Sequence, residues 1–117
     1  MKVRSEHVEQ REFVMWMRQQ TPYLIYAIPN GGHKTDGAKL KCEGVLAGMP
    51  DLHVPELRLW IEMKRRDGKA RESQEKIHAR LRAFGDVVEV CNSKEAAMAA
   101  VQRIMSAMRA PSKKESE

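Results

Sequence analysis

Apolar residues recur along this chain at two spacings, and the switches between them mark its elements. Residues 6–19 carry Val8, Phe13, Trp16 and Met17 at helical intervals behind Ser5, whose hydroxyl suits an N-cap. Tyr23 to Ile28, after Thr21-Pro22, is a β-branched and aromatic run that predicts a strand. Pro29-Asn30-Gly31-Gly32-His33-Lys34 breaks regular structure, and Asp36 is placed to cap a second helix through about Glu43, with Lys39 and Lys41 on it. Gly44 and Gly48 bracket an apolar link into Pro50-Asp51. Leu52–Val54 and Leu59–Met63 then flank a turn signal at Pro55-Glu56 and predict an antiparallel hairpin. Ser73 predicts the cap of a helix to Ala83 with an apolar stripe of Ile77, Leu81 and Phe84, stopped by Gly85. Val87 to Cys91 reads as a buried strand. Ser93 predicts the cap of a last helix that packs through Ala97, Val101, Ile104 and Met108. Residues 110–117, APSKKESE, have the composition of a disordered tail, so the ordered body is expected over residues 1–109 as a single domain. The order helix, strand, helix, hairpin, helix, strand, helix predicts an α/β fold: a small mixed sheet flanked by helices, with the hairpin and Val87–Cys91 central.

The hairpin carries the candidate chemistry. A symmetric register puts Val54 opposite Leu59 and therefore Asp51 opposite Glu62, with Cβ atoms about 4.5–5.5 Å apart on one face. Alternation sends Lys64 to the side of Glu62, while Leu59, Ile61 and Met63 face a core. Two carboxylates that close repel unless a cation sits between them, and magnesium-like hard cations take oxygen ligands of this kind. A metal so held could activate water and offset phosphate charge, with Lys64 orienting the water or balancing charge in the transition state. Acid pairs across turns are common and a neighbouring lysine is often only an ion-pair partner, so the motif draws its weight from its surroundings. Gln74 lies one turn before Ile77 and His78, where its side chain can point back to the hairpin. Glu6 and either Glu9 or Gln10 sit on the first helix's ridge leading to Phe13 and Met17. The helix dipole explains acids there, and a carboxylate entering the site is the sharper reading.

Charge adds a partner class. The 117 residues hold 21 Lys and Arg against 16 Asp and Glu, for a net charge of +5, and a pI near 9.4, a balance that favours polyanions. The run Arg65-Arg66-Asp67-Gly68-Lys69-Ala70-Arg71 directly beyond Lys64 could hold a nucleic-acid backbone. Asn30 and Lys34 in the glycine-rich loop and Lys41 on the second helix are further contact candidates. No GxxxxGK[ST] pattern supports a nucleotide loop. Cys42 and Cys91 lie far apart without a CxxC or Cys/His cluster, which argues against zinc and for reduced thiols. The absence of a long apolar run or signal peptide predicts an intracellular protein without a membrane partner.

Pro50-Asp51, Glu62-x-Lys64 and Ser73-Gln74 together resemble the PD-(D/E)xK nuclease superfamily, specifically its VRR-Nuc (virus-type replication-repair nuclease) branch. AIPNGG at 27–32, LKCEGVLAGMPDL at 40–52 and Glu-His-Val-Glu-Gln at 6–10 are similar to that branch as well. The resemblance implies a restriction-endonuclease-like core and a Mg²⁺- or Mn²⁺-dependent, structure-selective nuclease of replication and repair that leaves a 5′-phosphate. It makes Asp51 and Glu62 metal ligands with the Met63 carbonyl, sets Lys64 on the water with Gln74 in support, and adds a first-helix acid. Glu6 is favoured for that acid by its spacing to Gln10, with Glu9 the alternative. Short stand-alone members occur in phages and bacteria as dimers resembling Holliday-junction resolvases. The resemblance therefore also implies a homodimer acting on branched DNA in the bacterial or host cytoplasm.

A non-catalytic nucleic-acid binder that kept the fold competes with this reading, although it would not need Asp51, Glu62, Lys64 and Gln74 together. A thiol hydrolase using Cys42 or Cys91 has no supporting spacing. For the basic run, Arg65→Ala combined with Arg66→Ala should weaken DNA binding and flatten its salt dependence. An unchanged slope in an anisotropy titration would remove that run from phosphate contact.

Overall fold

The computed structural model describes residues 5–29, 41–65, 68 and 70–109. Asn30, Lys34, Arg66, Lys69 and the 110–117 tail lie outside the described residues, as does the second predicted helix except for residues 41–43, of which 41 and 42 are helical and Glu43 already lies in a turn.

Helix α1 spans Glu6–Gln20, and Ser5 caps it by accepting from the Val8 amide at 3.2 Å. Its far end is closed at Thr21, whose amide and hydroxyl donate to the Met17 carbonyl at 3.0 and 2.8 Å. Phe13 and Met17 are wholly buried, each contributing about 1.5–3 kcal/mol of apolar burial, and this anchors the helix more firmly than propensity could.

Strand β1, Tyr26–Ala27, is shorter than the Tyr23–Ile28 run predicts. The amides before it are spent on side chains: Tyr23 donates to the Thr21 hydroxyl at 3.4 Å and Leu24 to the Glu56 carboxylate at 2.6 Å. Strand β2, Leu52–Val54, leads through a 3₁₀ turn at Pro55–Leu57 and left-handed Arg58 into β3, Leu59–Met63. The register is Val54 with Leu59, His53 with Trp60 and Leu52 with Ile61, so its continuation sets Asp51 against Glu62 as the symmetric hairpin predicts.

Helix α2, Glu72–Ala83, crosses to β4, Val87–Cys91, which pairs parallel with β3. The sheet order is β1-β2-β3-β4. The hairpin strands are central as expected, but β4 is an edge strand, because β1 takes the free side of β2 and no described strand follows β4. Val87 and Val90 are accordingly exposed. The last helix, α3, covers Lys94–Arg109, and the Ser93 hydroxyl accepts from the Ala96 amide at 3.1 Å.

Alternation divides the sheet's two faces. Leu52, Val54, Leu59, Ile61 and Met63 join Phe13, Met17, Ala97 and Val101 in one core, beneath α1 and α3. Glu62 points the other way, under α2. That helix departs from prediction twice. Its N-cap is Arg71 rather than Ser73, and its buried residue is His78, while Phe84, expected in the stripe, is 78% exposed. Phe84 falls at the C-cap, past the last turn that overlies the sheet, and Gly85 ends the helix at φ 92° as expected. Met108, near the end of α3, is likewise exposed.

Gly48 fixes how closely the link before β2 approaches α2. It sits at φ 94°, and a Cβ there would stand 3.0 Å from the Ser73 carbonyl oxygen and 3.3 Å from its carbon. Gly48→Ala should therefore cost about 1–3 kcal/mol through backbone strain and push the first turn of α2 outward. A urea midpoint equal to the wild type would refute this.

Candidate metal and phosphodiester site

Asp51 precedes β2 and Glu62 lies in β3, and together they floor a cleft of about 630 Å³ between the N-terminal turns of α1 and α2. The β2–β3 ladder stops at Leu52–Ile61; beyond it the Asp51 carboxylate takes the Met63 amide at 2.8 Å. This holds Asp51 against the strand that carries the second acid. The Met63 side chain lies in the core, which leaves its main chain as the part nearest the acids.

Glu62 is 2% exposed. Its Oε2 receives the Lys64 ammonium at 3.3 Å and the Gln74 amide nitrogen at 3.3 Å. Its Oε1 is buried without a hydrogen-bond partner among the described residues. Burial, followed by the Asp51 charge and a hydrogen bond to Asp51, raises the Glu62 carboxyl from 4.5 to about 7, against the opposing pull of Lys64. Gln74 is held in turn, since its Oε1 accepts the Arg71 amide at 2.9 Å, so the first turn of α2 orients the amide that meets Glu62.

The helix-one alternatives separate cleanly. Glu6 lines the cleft with Gln10 and His7. Glu9 is buried instead and accepts the Lys94 amide at 3.1 Å, capping α3. Asp51, Glu62, Lys64, Gln74 and Glu6 thus share one cleft. Lys41 and Arg65 are exposed and neither is among its walls, whereas Arg71 is. The Arg65 main chain is fixed by Asn92, which donates to its carbonyl at 2.8 Å.

Sequence reasoning assigned no role to His78, which is 2% exposed with Nε2 4.0 Å from Glu62 Oε1. Its place one helical turn beyond Gln74 was the available signal. Burial, then the Arg82 and Lys64 charges, holds its imidazole below the usual histidine range. The next same-face row of the sheet is aromatic: His53 stacks on Trp60 with centroids 3.8 Å apart, and the Tyr26 hydroxyl meets His53 Nδ1 at 2.7 Å. Burial pushes the Cys91 thiol up to about 11, far from a nucleophile's range.

Among the described residues no three His, Cys, Asp or Glu side chains gather closely enough to hold an ion by themselves. The donor set present is a pair of carboxylates in one cleft, one with a buried oxygen that has no hydrogen-bond partner among the described residues. Such a set fits a hard divalent cation that completes its shell with main-chain carbonyl and water. Glu62, Asp51 and a main-chain group of Met63 would hold it.

A solved VRR_NUC domain protein superposes on the chain with a TM-score of 0.78 and 25% identity, over 90% of this chain and 91% of that one. No family model matches the sequence, and no curated protein does either. The structural match supports the VRR-Nuc family and, with it, a nuclease-domain fold.

The raised Glu62 carboxyl has a definite sign for stability. The folded chain retains a proton that the unfolded chain releases near 4.5, so the stability this gives is complete below about pH 4.5 and lost as pH rises through about 7. In chelator at pH 8, Glu62→Gln should stabilise the protein by about 2 kcal/mol, and the gain should vanish towards pH 4.5. Urea midpoints of the two proteins that differ equally at both pH values would contradict it.

Proposed function

Within the VRR-Nuc nuclease-domain family, we propose that this chain is a metal-dependent, structure-selective endodeoxyribonuclease that hydrolyses phosphodiester bonds in branched DNA. The observation that carries the proposal is the convergence of Asp51, Glu62, Lys64 and Gln74 on one cleft. Mg²⁺ or Mn²⁺ bound there would supply positive charge for the phosphate and a water of lowered pKa. The chain's own groups do the rest. Asp51 and Glu62 hold the acidic floor. Lys64, its side chain 13% exposed, keeps its ammonium at the cleft wall, where it can orient the attacking water and offset charge on the phosphate. Gln74 locks the Glu62 carboxylate relative to α2, and Glu6 faces the same space from α1. Arg71 on the wall can meet the neighbouring phosphate of the strand.

We extend the proposal to a homodimer with a Holliday-junction-resolvase-like activity. The described residues of one chain present one such cleft, whereas resolving a four-way junction takes two symmetric cuts, which a two-fold dimer provides. The basic balance of the chain supports a polyanionic partner.

Labelled four-way junction, flap and linear duplex DNA, each with Mg²⁺, Mn²⁺ or chelator, provide the test. Cleavage should require the metal and favour a branched substrate. It should fall at least about 100-fold in Asp51→Ala and in Lys64→Ala, while gel-shift binding persists. Retarded bands with no cuts under any metal would replace the nuclease with a binding domain of the same fold.

A further inference from the structure

His78 is the buried polar group beside the cleft that the proposed reaction leaves without a task. Its Nε2 and Glu62 Oε1 face each other at 4.0 Å, both buried and both without a hydrogen-bond partner among the described residues. A buried polar atom left unpaired costs about 1–3 kcal/mol, and a leucine or methionine would fill this volume without that cost. The other oxygen of Glu62 is already gripped, by Lys64 and Gln74 at 3.3 Å each. The carboxylate is therefore held on one side and open on the side that His78 faces.

We propose that His78 is a positioning residue for Glu62: in the cation-loaded site its Nε2–H donates to Glu62 Oε1, fixing the plane of the carboxylate and raising the site's affinity for the metal. The inference rests on the reading of Asp51 and Glu62 as metal ligands. Closing 4.0 Å to hydrogen-bond length takes about 1 Å of movement, which small side-chain rotations supply. Carboxylates that bind metals are themselves hydrogen-bonded by outer groups, and losing such a group weakens metal binding about 10- to 100-fold. With Lys64 and Gln74 on one oxygen and His78 on the other, Glu62 would keep a single orientation.

The test is Mn²⁺ binding to the full chain, read from the paramagnetic resonance signal of free Mn²⁺, with urea midpoints measured in parallel. His78→Gln keeps an N–H donor near the place of Nε2 and should bind close to the wild type. His78→Leu, which has no donor, and His78→Asn, whose amide reaches only the place of Nδ1, should bind about 10- to 100-fold more weakly. In a Glu62→Gln background, His78→Leu should cause no further loss. Should the leucine variant fail to fold, the contrast between Gln and Asn decides alone. Wild-type affinity in both Leu and Asn variants, or a Gln variant as weak as Leu, overturns the positioning role. Mn²⁺ binding that is equal in the wild type and Glu62→Ala overturns the metal reading of the cleft as well, and is recognisable as that separate failure.

Discussion

Two like charges facing each other across a hairpin set the terms for everything around them. Asp51 and Glu62 are opposed by the β2–β3 register, and burial makes their repulsion expensive rather than screened. The fold contains it with the Lys64 ammonium, and the price is a carboxyl whose ionisation is postponed to about pH 7. A protein selected only for stability would place a hydrophobic pair there. Keeping the acids is a stability deficit of the kind expected at a working site.

The rest of the architecture can be understood as support for that pair. The α1–α3 layer buries the apolar face of β3 and so fixes which way Glu62 points. The parallel β3–β4 ladder continues one residue past the hairpin, with the Lys64 amide donating to the Cys91 carbonyl at 2.8 Å, and this seats the lysine beside the acid. Gly48 lets the link before β2 pass close to Ser73, bringing the turn that holds Gln74 over the cleft.

Much of this was legible in the residues. Hairpin register follows from period-two alternation about a short turn, so the Asp51–Glu62 opposition could be derived without coordinates. Helix caps with hydroxyls at Ser5 and Ser93 were also readable. The errors share a cause: they are tertiary facts that local pattern does not encode. Tyr23 and Leu24 carry strand residues, yet their amides are claimed by Thr21 and Glu56. Ile77 and Leu81 are half-buried on the face of α2 that also carries Gln74 and the buried His78, yet Phe84 falls past the last turn over the sheet and is exposed. Spacing to Gln10 favoured Glu6 but left Glu9 open; what divides them in the structure is the N-terminus of α3, which lies 85 residues from Glu9.

That last contact bears on the order of assembly. Glu9 caps α3, and Lys94 reaches back to Glu12 at 2.6 Å, so one wall of the cleft is clasped by a helix that begins 85 residues after Glu9. Such distant closure is paid in loop entropy before any contact repays it. During synthesis, α1 can acquire these neighbours only after residue 94 has left the ribosome, so this wall of the cleft is clasped late relative to its own making.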